Sequence, residues 1–394
     1  MSAQPRPGVL QPSSPLWCGG FRPFYLAGCL YGLLAVGLWA AGHFGDGAAT
    51  AYGRPLWHAH EMIFGFVAAL CGGFILTALP SWAGTATIRG RPLMLLVGVW
   101  GLGRAAMLAA PAIPPLAAAL LDLAFAPLLL AVAGSQVWGV SNRLYRLLVP
   151  ILVLLTLGNL AYHLGVLRGD AGLAHGGIRA AYYALMLLFS FVGGLLTPIF
   201  TESRLRESEP AAAIGFRRPL EVLAPAGLLL TALTELAGLG GAAVAAAALA
   251  TALVHALRMA TWRSAAVLGS PLLAAMHAGY ACLIVSLLLQ AAEQGASIPA
   301  SASIHAFTLG AMGLTKISLM TRVALKHTGR SLHLPAAAIA AFVAMGVAAL
   351  LRTIAVDGAL LAMAALSWAA AIALYLALYG RFLLAPSLPK GAVR

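Results

Sequence analysis

Charge is what this chain has least of. Only 9% of its 394 residues are charged, with 11 acidic residues against 24 Lys and Arg, and the mean hydropathy is +0.92. Soluble domains carry about 25% charge, so a water-exposed globular fold is excluded and the chain reads as an integral membrane protein. Cysteine is scarce too. Cys18, Cys29, Cys71 and Cys282 show no paired spacing, which argues for small apolar packing groups and against a disulfide framework. Long polar stretches are missing as well: the longest loop, about 201–217, is too short to fold alone.

Long apolar runs fill the rest. Stretches long enough to cross a hydrocarbon core of about 30 Å lie near 24–43, 56–80, 92–110, 114–135, 144–165, 178–201, 218–238, 240–260, 269–291, 299–321, 335–354 and 358–384. The expectation is an all-α polytopic protein of twelve spans, with a tail at 1–23, one transmembrane domain at 24–384 and a second tail at 385–394. Residues 1–23 are polar and proline-rich, unlike a cleaved secretory signal. Threaded this way, eighteen Lys and Arg fall on one side and only Arg54, Arg168, Arg179 and Arg352 on the other. Cytoplasmic loops retain positive charge, so both termini are expected in the cytoplasm. The net charge of +13 then reports topology, and no nucleic-acid partner is implied. The long loop between the sixth and seventh spans suggests a six-plus-six layout, but no motif recurs in the two halves.

Six of the ten histidines, His43, His58, His60, His163, His175 and His305, fall at or near one membrane surface, the outer one. Their gathering there points to a metal site. His58 and His60 are two apart, about 200° around an α-helix, and should face different sites. Glu61, three residues after His58, is placed to orient an imidazole. The alternative is an interfacial histidine pair anchored by Trp57. Partner imidazoles must come from other spans: His305 at the outer end of the tenth, His163 at that of the fifth after Asn159, and His277 three residues before Tyr280. Gly310 and Gly313 leave room beside the tenth span for a flat group or for a neighbouring helix. His43 and His175 at loop edges, and His255, His327 and His333, read as solvated or interfacial.

Intramembrane charge is a separate pointer, because each such group costs about 2.5–3.5 kcal/mol on insertion scales. Arg104, Asp122 and Lys316 qualify. Lys316 follows His305 by eleven residues, close to three α-helical turns, which suits a proton or ion path. A lysine neutralised by Asp122 or held by carbonyls fits equally. Arg104 is placed to clamp an anionic group such as a haem propionate, or to pair with Glu61 or Glu235.

The blocks WHAHEMIFGF, LTALPSWAGT, GLGRAAM, LGNLAYHLG, MHAGYA, and HAFTLGAMG running into MTRVALKHTGR together resemble the NnrS family of twelve-helix bacterial membrane proteins. The resemblance implies an inner-membrane protein that binds haem and copper and serves the nitric oxide response and nitrosative stress resistance. Residue by residue it points to His58, His60 and Glu61, Arg104, His163, His277 with Tyr280, His305, and the Arg322 to Arg330 stretch including His327. One departure is visible: Gly193-Gly194-Leu195-Leu196-Thr197-Pro198 stands where the family pattern carries an arginine after the glycines.

A fainter likeness is to the main subunit of haem-copper oxidases, through His58, Met62, Ile63 and Phe64 and through His305 with Gly310 and Ala311. By that analogy His58 and His305 are axial ligands of one haem, which leaves His60 and His163 for copper. The sixth and seventh spans lack the histidines that would build an oxygen-reducing centre. A redox protein acting on NO, drawing on an electron donor, is the reading these resemblances imply. Two others stay open: a proton-coupled transporter of a small anion using Lys316, Arg104 and Asp122, and a haem or copper handling protein with the same ligands.

Overall fold

The computed structural model describes residues 8–44, 53–138, 143–296, 298–355 and 357–389. Among them there is no strand. The long helices are α1 (Phe21–Phe44), α2 (Pro55–Ala83), α3 (Arg91–Leu108), α4 (Pro115–Trp138), α5 (Leu144–Arg168), α6 (Ala171–Leu205), α7 (Arg218–Leu236), α8 (Gly241–Ala260), α9 (Pro271–Ala292), α10 (300–326), α11 (Ala336–Ile354) and α12 (Gly358–Leu384). Eleven of these are long and apolar enough to cross a membrane, which makes the chain a multi-pass membrane protein. The exception is α10, where twelve spans were expected. It is helical from end to end, yet His305, Lys316, Arg322 and Lys326 dilute its apolar content.

Proline sets where helices begin. Pro55, Pro92, Pro115, Pro219 and Pro271 each occupy a first turn, where the missing N–H has no intrahelical partner to lose. Leu30, Leu34 and Leu38 on α1 and Leu249, Leu253 and Leu257 on α8 are exposed at four-residue intervals, the outward stripes that lipid solvates. Two helices widen into π-helix, α2 at Glu61–Val67 and α10 at Ala306–Gly313. Such segments shift the facing of every later residue and concentrate at functional sites.

The chain divides into two compact units, one of residues 1–181, 320–333 and 375–394, the other of 182–319 and 334–374. In the first, Arg22 donates to the carbonyls of Phe382, Leu383 and Ala385, satisfying the C-terminal end of α12. His327 packs against the Phe21 ring, and Arg330 lies over Phe382. Burial, with Arg22 nearby, lowers the pKa of His327. Glycine brings α5 against α6, since a Cβ at Gly158 would lie 2.8 Å from the Gly177 carbonyl. Gly177→Val should therefore force the two helices apart at a cost of about 1–3 kcal/mol. A lowered unfolding midpoint in detergent checks it, and an unchanged midpoint would refute the close approach.

In the second unit the space beside Gly310 and Gly313 is taken by neighbouring helices. A Cβ at Gly310 would meet Cys282 of α9 at 2.8 Å, and one at Gly313 would meet Met345 of α11 at 2.7 Å.

Candidate functional site

The buried charges of the first unit form one network. Glu61, the first residue of the π segment of α2, accepts from His60 Nδ1 at 2.7 Å, from Arg104 Nη1 at 2.6 Å and from the Tyr31 hydroxyl. The other terminal nitrogen of Arg104 pairs with Asp122 of α4. Three nitrogens then crowd Asp122 Oδ2: His163 Nε2 at 2.8 Å, Asn159 Nδ2 at 2.8 Å and His60 Nε2 at 3.2 Å. His60 Nε2 also reaches Asn159 Oδ1 at 3.0 Å. His60, Glu61, Arg104, Asp122, Asn159 and His163 are all buried. The His60 ring stacks on Tyr162 at 4.3 Å, with His163 edge-on at 5.3 Å.

Chemistry follows from counting charge. Arg104 supplies one positive charge and the two carboxylates two negative, so the network is one positive charge short of neutral. Buried charge that is not compensated is costly. Both nitrogens of His60 face oxygens that accept. A bound cation offsets the deficit: Cu(I) brings the count to zero, and a divalent ion leaves one positive charge over. His60, Asp122 and His163 each offer one ligand atom, all within 4.8 Å of one another. Two imidazoles and a carboxylate suit a divalent first-row ion, for which Cu(II) has the highest affinity. Glu61 on His60 Nδ1 completes the carboxylate–histidine–metal arrangement that fixes tautomer and ring direction.

The sequence expectation paired Glu61 with His58. The structure gives Glu61 to His60, where the backbone widens and α-helical spacing no longer applies, and to Arg104, one of the pairings expected from the sequence. The ring of His58 packs on Trp39 at 4.6 Å. The eleven-residue relation between His305 and Lys316 is altered for the same reason: eight intervening residues, Ala306–Gly313, are π-helical. Asp122, expected on an ion path with Lys316, is held by Arg104, Asn159 and both imidazoles. Tyr31, Tyr162 and the carboxamide of Asn159 were not singled out as site groups. Asn159 stood only as a neighbour of His163, and a hydroxyl on an apolar helix carries no signal by itself.

His277 and His305 belong to the second unit. His305 Nδ1 donates to the Ser301 carbonyl at 2.6 Å, which puts its lone pair on Nε2. The Thr201 hydroxyl donates to Thr197, so His277 Nε2 donates to Thr201 Oγ1 at 2.8 Å and its lone pair is on Nδ1. His255 contacts the Tyr280 hydroxyl at 2.8 Å, and Arg258 joins Tyr280, Ser190 and Glu221. The guanidinium of Arg258 lies against Gly194, so a basic group does reach the Gly193-Gly194 stretch, from α8. His175 bonds the Ala171 carbonyl and His333 is exposed. The side chain of His43 lies outside the described residues.

Residues 15–387 match the family model described as NnrS protein. The chain belongs to the NnrS family. No individual curated protein matches it. Within this NnrS-family chain the matched range contains every residue of the buried network.

Proposed function

We propose that this chain is a haem- and copper-binding protein of the bacterial inner membrane that serves the nitric oxide response, with its termini in the cytoplasm and its metal centre in the outer half of the bilayer. One observation carries the copper assignment: His60 Nε2 and His163 Nε2 converge on Asp122 Oδ2 in a buried network that holds two carboxylates and one guanidinium. His60, His163 and Asp122 hold the ion, and Glu61, Asn159 and Arg104 hold those ligands in place. Bound copper supplies one-electron chemistry and an affinity for NO. The surrounding side chains keep bulk water out and fix the imidazoles, so that little reorganisation accompanies a change of charge. For haem, His58 and His305 are the proposed ligands, with an electron donor as the further partner. The chemistry performed on NO is a redox step.

Purified protein from haem- and copper-replete cells is expected to show a Soret band and bound copper. His60→Ala and His163→Ala should each lose the copper and keep the Soret band, whereas His58→Ala and His305→Ala should do the reverse. Elemental analysis and optical spectra of the five proteins decide the matter. Wild-type protein free of copper would end the copper reading, and a colourless preparation would end the haem one.

A further inference from the structure

The two π-helical segments are entered in the same way. Each starts on the residue after a histidine, His60 in α2 and His305 in α10, and each has a glycine five positions beyond that histidine, Gly65 and Gly310. What packs on those glycines also corresponds. A Cβ at Gly65 would meet Tyr31 of α1 and Arg104 of α3, and a Cβ at Gly310 would meet Cys282 of α9 and Ala349 of α11. The interval from His60 to His305 is the interval from Gly65 to Gly310 and from Arg104 to Ala349.

The reciprocal contacts agree. Gly28 of α1 packs on the Leu70 side chain and faces the Phe66 carbonyl of α2. Gly279 of α9 packs on Thr315 and the Ala311 carbonyl of α10. These are again matching positions, at the interval that also relates Tyr31 to Cys282. The buried stripe of α3 from Leu93 to Arg104 recurs position for position in α11 from Ala338 to Ala349, with Phe342 added. Separate helices, contacts and burial thus give one alignment, in which the first copy has six more residues than the second between its first and second helices.

Side-chain chemistry is what differs. Where the first copy has Tyr31, Glu61 and Arg104, the second has Cys282, Ala306 and Ala349. The second copy therefore forms the same widened helix, flanked by the same two neighbours, with no ion pair at those positions. A buried ion pair is often replaceable by well-packed apolar groups of similar volume without loss of stability, and the second copy shows the backbone module formed without one.

We infer that residues 21–108 and 272–353 are two copies of one helical module, and that Tyr31, Glu61 and Arg104 are positioning residues for a cation at His60, not struts of the fold. The role assigned to the three side chains rests on the copper reading above; the duplication does not. Tyr31 and Arg104 hold the Glu61 carboxylate, and Glu61 holds His60 Nδ1, so that Nε2 points at Asp122 and His163.

The test gives the first copy the residues of the second. The variant Tyr31→Cys, Glu61→Ala, Arg104→Ala removes one charge of each sign and leaves the net charge of the network unchanged. Because Asp122 loses its guanidinium, it should melt below wild type yet still purify as a folded protein, while its copper content after dialysis falls by about 10–100-fold, the usual loss when groups behind a metal ligand are removed. Glu61→Gln keeps an acceptor for His60 Nδ1–H. It should recover most of the copper and shift the Cu(II) electron paramagnetic resonance spectrum, which a purely structural role would not do. A folded triple variant with full copper overturns the positioning role. A triple variant that does not fold overturns the interchangeability of the two copies. Copper-free wild-type protein removes the copper reading, and the role with it, while the melting comparison still decides the duplication.

Discussion

Asp122→Ala is expected to empty the copper centre and to destabilise the first unit by about 3–5 kcal/mol, the loss typical when one member of a buried ion pair is removed. The reason is convergence. Asp122 meets Arg104 through one oxygen and three nitrogens, from His60, Asn159 and His163, through the other. Its removal deprives Arg104 of one of two carboxylates and leaves the His163 ring and the Asn159 amide without the acceptor that orders them. Asp122→Asn should separate the two consequences. An amide of the same shape still accepts through one oxygen, so part of the fold energy returns, whereas the anionic ligand does not. His175→Ala, at an exposed helix edge, should stay within about 0.5 kcal/mol of wild type. Denaturation midpoints in detergent and elemental analysis of the same samples check all three. An Asp122→Ala protein with wild-type copper and stability would refute both the ligand assignment and the electrostatic account of the network.

The spans were legible because lipid imposes a demand that composition alone reveals: a run of about 20 apolar residues with almost no charge. The same logic made Arg104 and Asp122 stand out, since charged groups at such depth are expensive, whereas His60, Glu61 and His163 stood out by gathering near one membrane surface. What periodicity did not reveal is which of them meet. The π segment of α2 is the reason. Nothing in Glu61-Met62-Ile63-Phe64-Gly65-Phe66-Val67 departs from an ordinary apolar helix, yet the widened turn gives Glu61 to His60. The loss of regular spacing in α10 has the same origin. The duplicated module was illegible for a further reason: between α2 and α10 the chain keeps His60 with His305 and Gly65 with Gly310, while most of the intervening positions are exchanged among apolar and small residues. Membrane packing requires volume and burial at a position and tolerates many side chains that provide them, so the shared backbone outlasts the shared motif.

That division between shared backbone and separate chemistry yields the second large effect, at a residue that binds nothing. Gly65→Val should abolish copper binding. A Cβ there would lie 2.7 Å from the Tyr31 ring, and 3.2 Å from both Arg104 Nη1 and Glu61 Oε2. The side chains that hold Glu61 would have to withdraw, and His60 Nδ1 would lose its fixed partner. The matching substitution Gly310→Val meets Cys282 in the second unit, and the atoms nearest its Cβ belong to Cys282 and Ala349. Both variants overpack an equivalent helix contact, so both should cost about 1–3 kcal/mol of stability. Only the first should lose copper. Matched melting curves with a copper stoichiometry near zero for Gly65→Val and near wild type for Gly310→Val would tie the metal to the charged copy of the module. Equal copper in the two variants would mean that the network around Glu61 does not govern the centre, whatever the geometry of His60, His163 and Asp122.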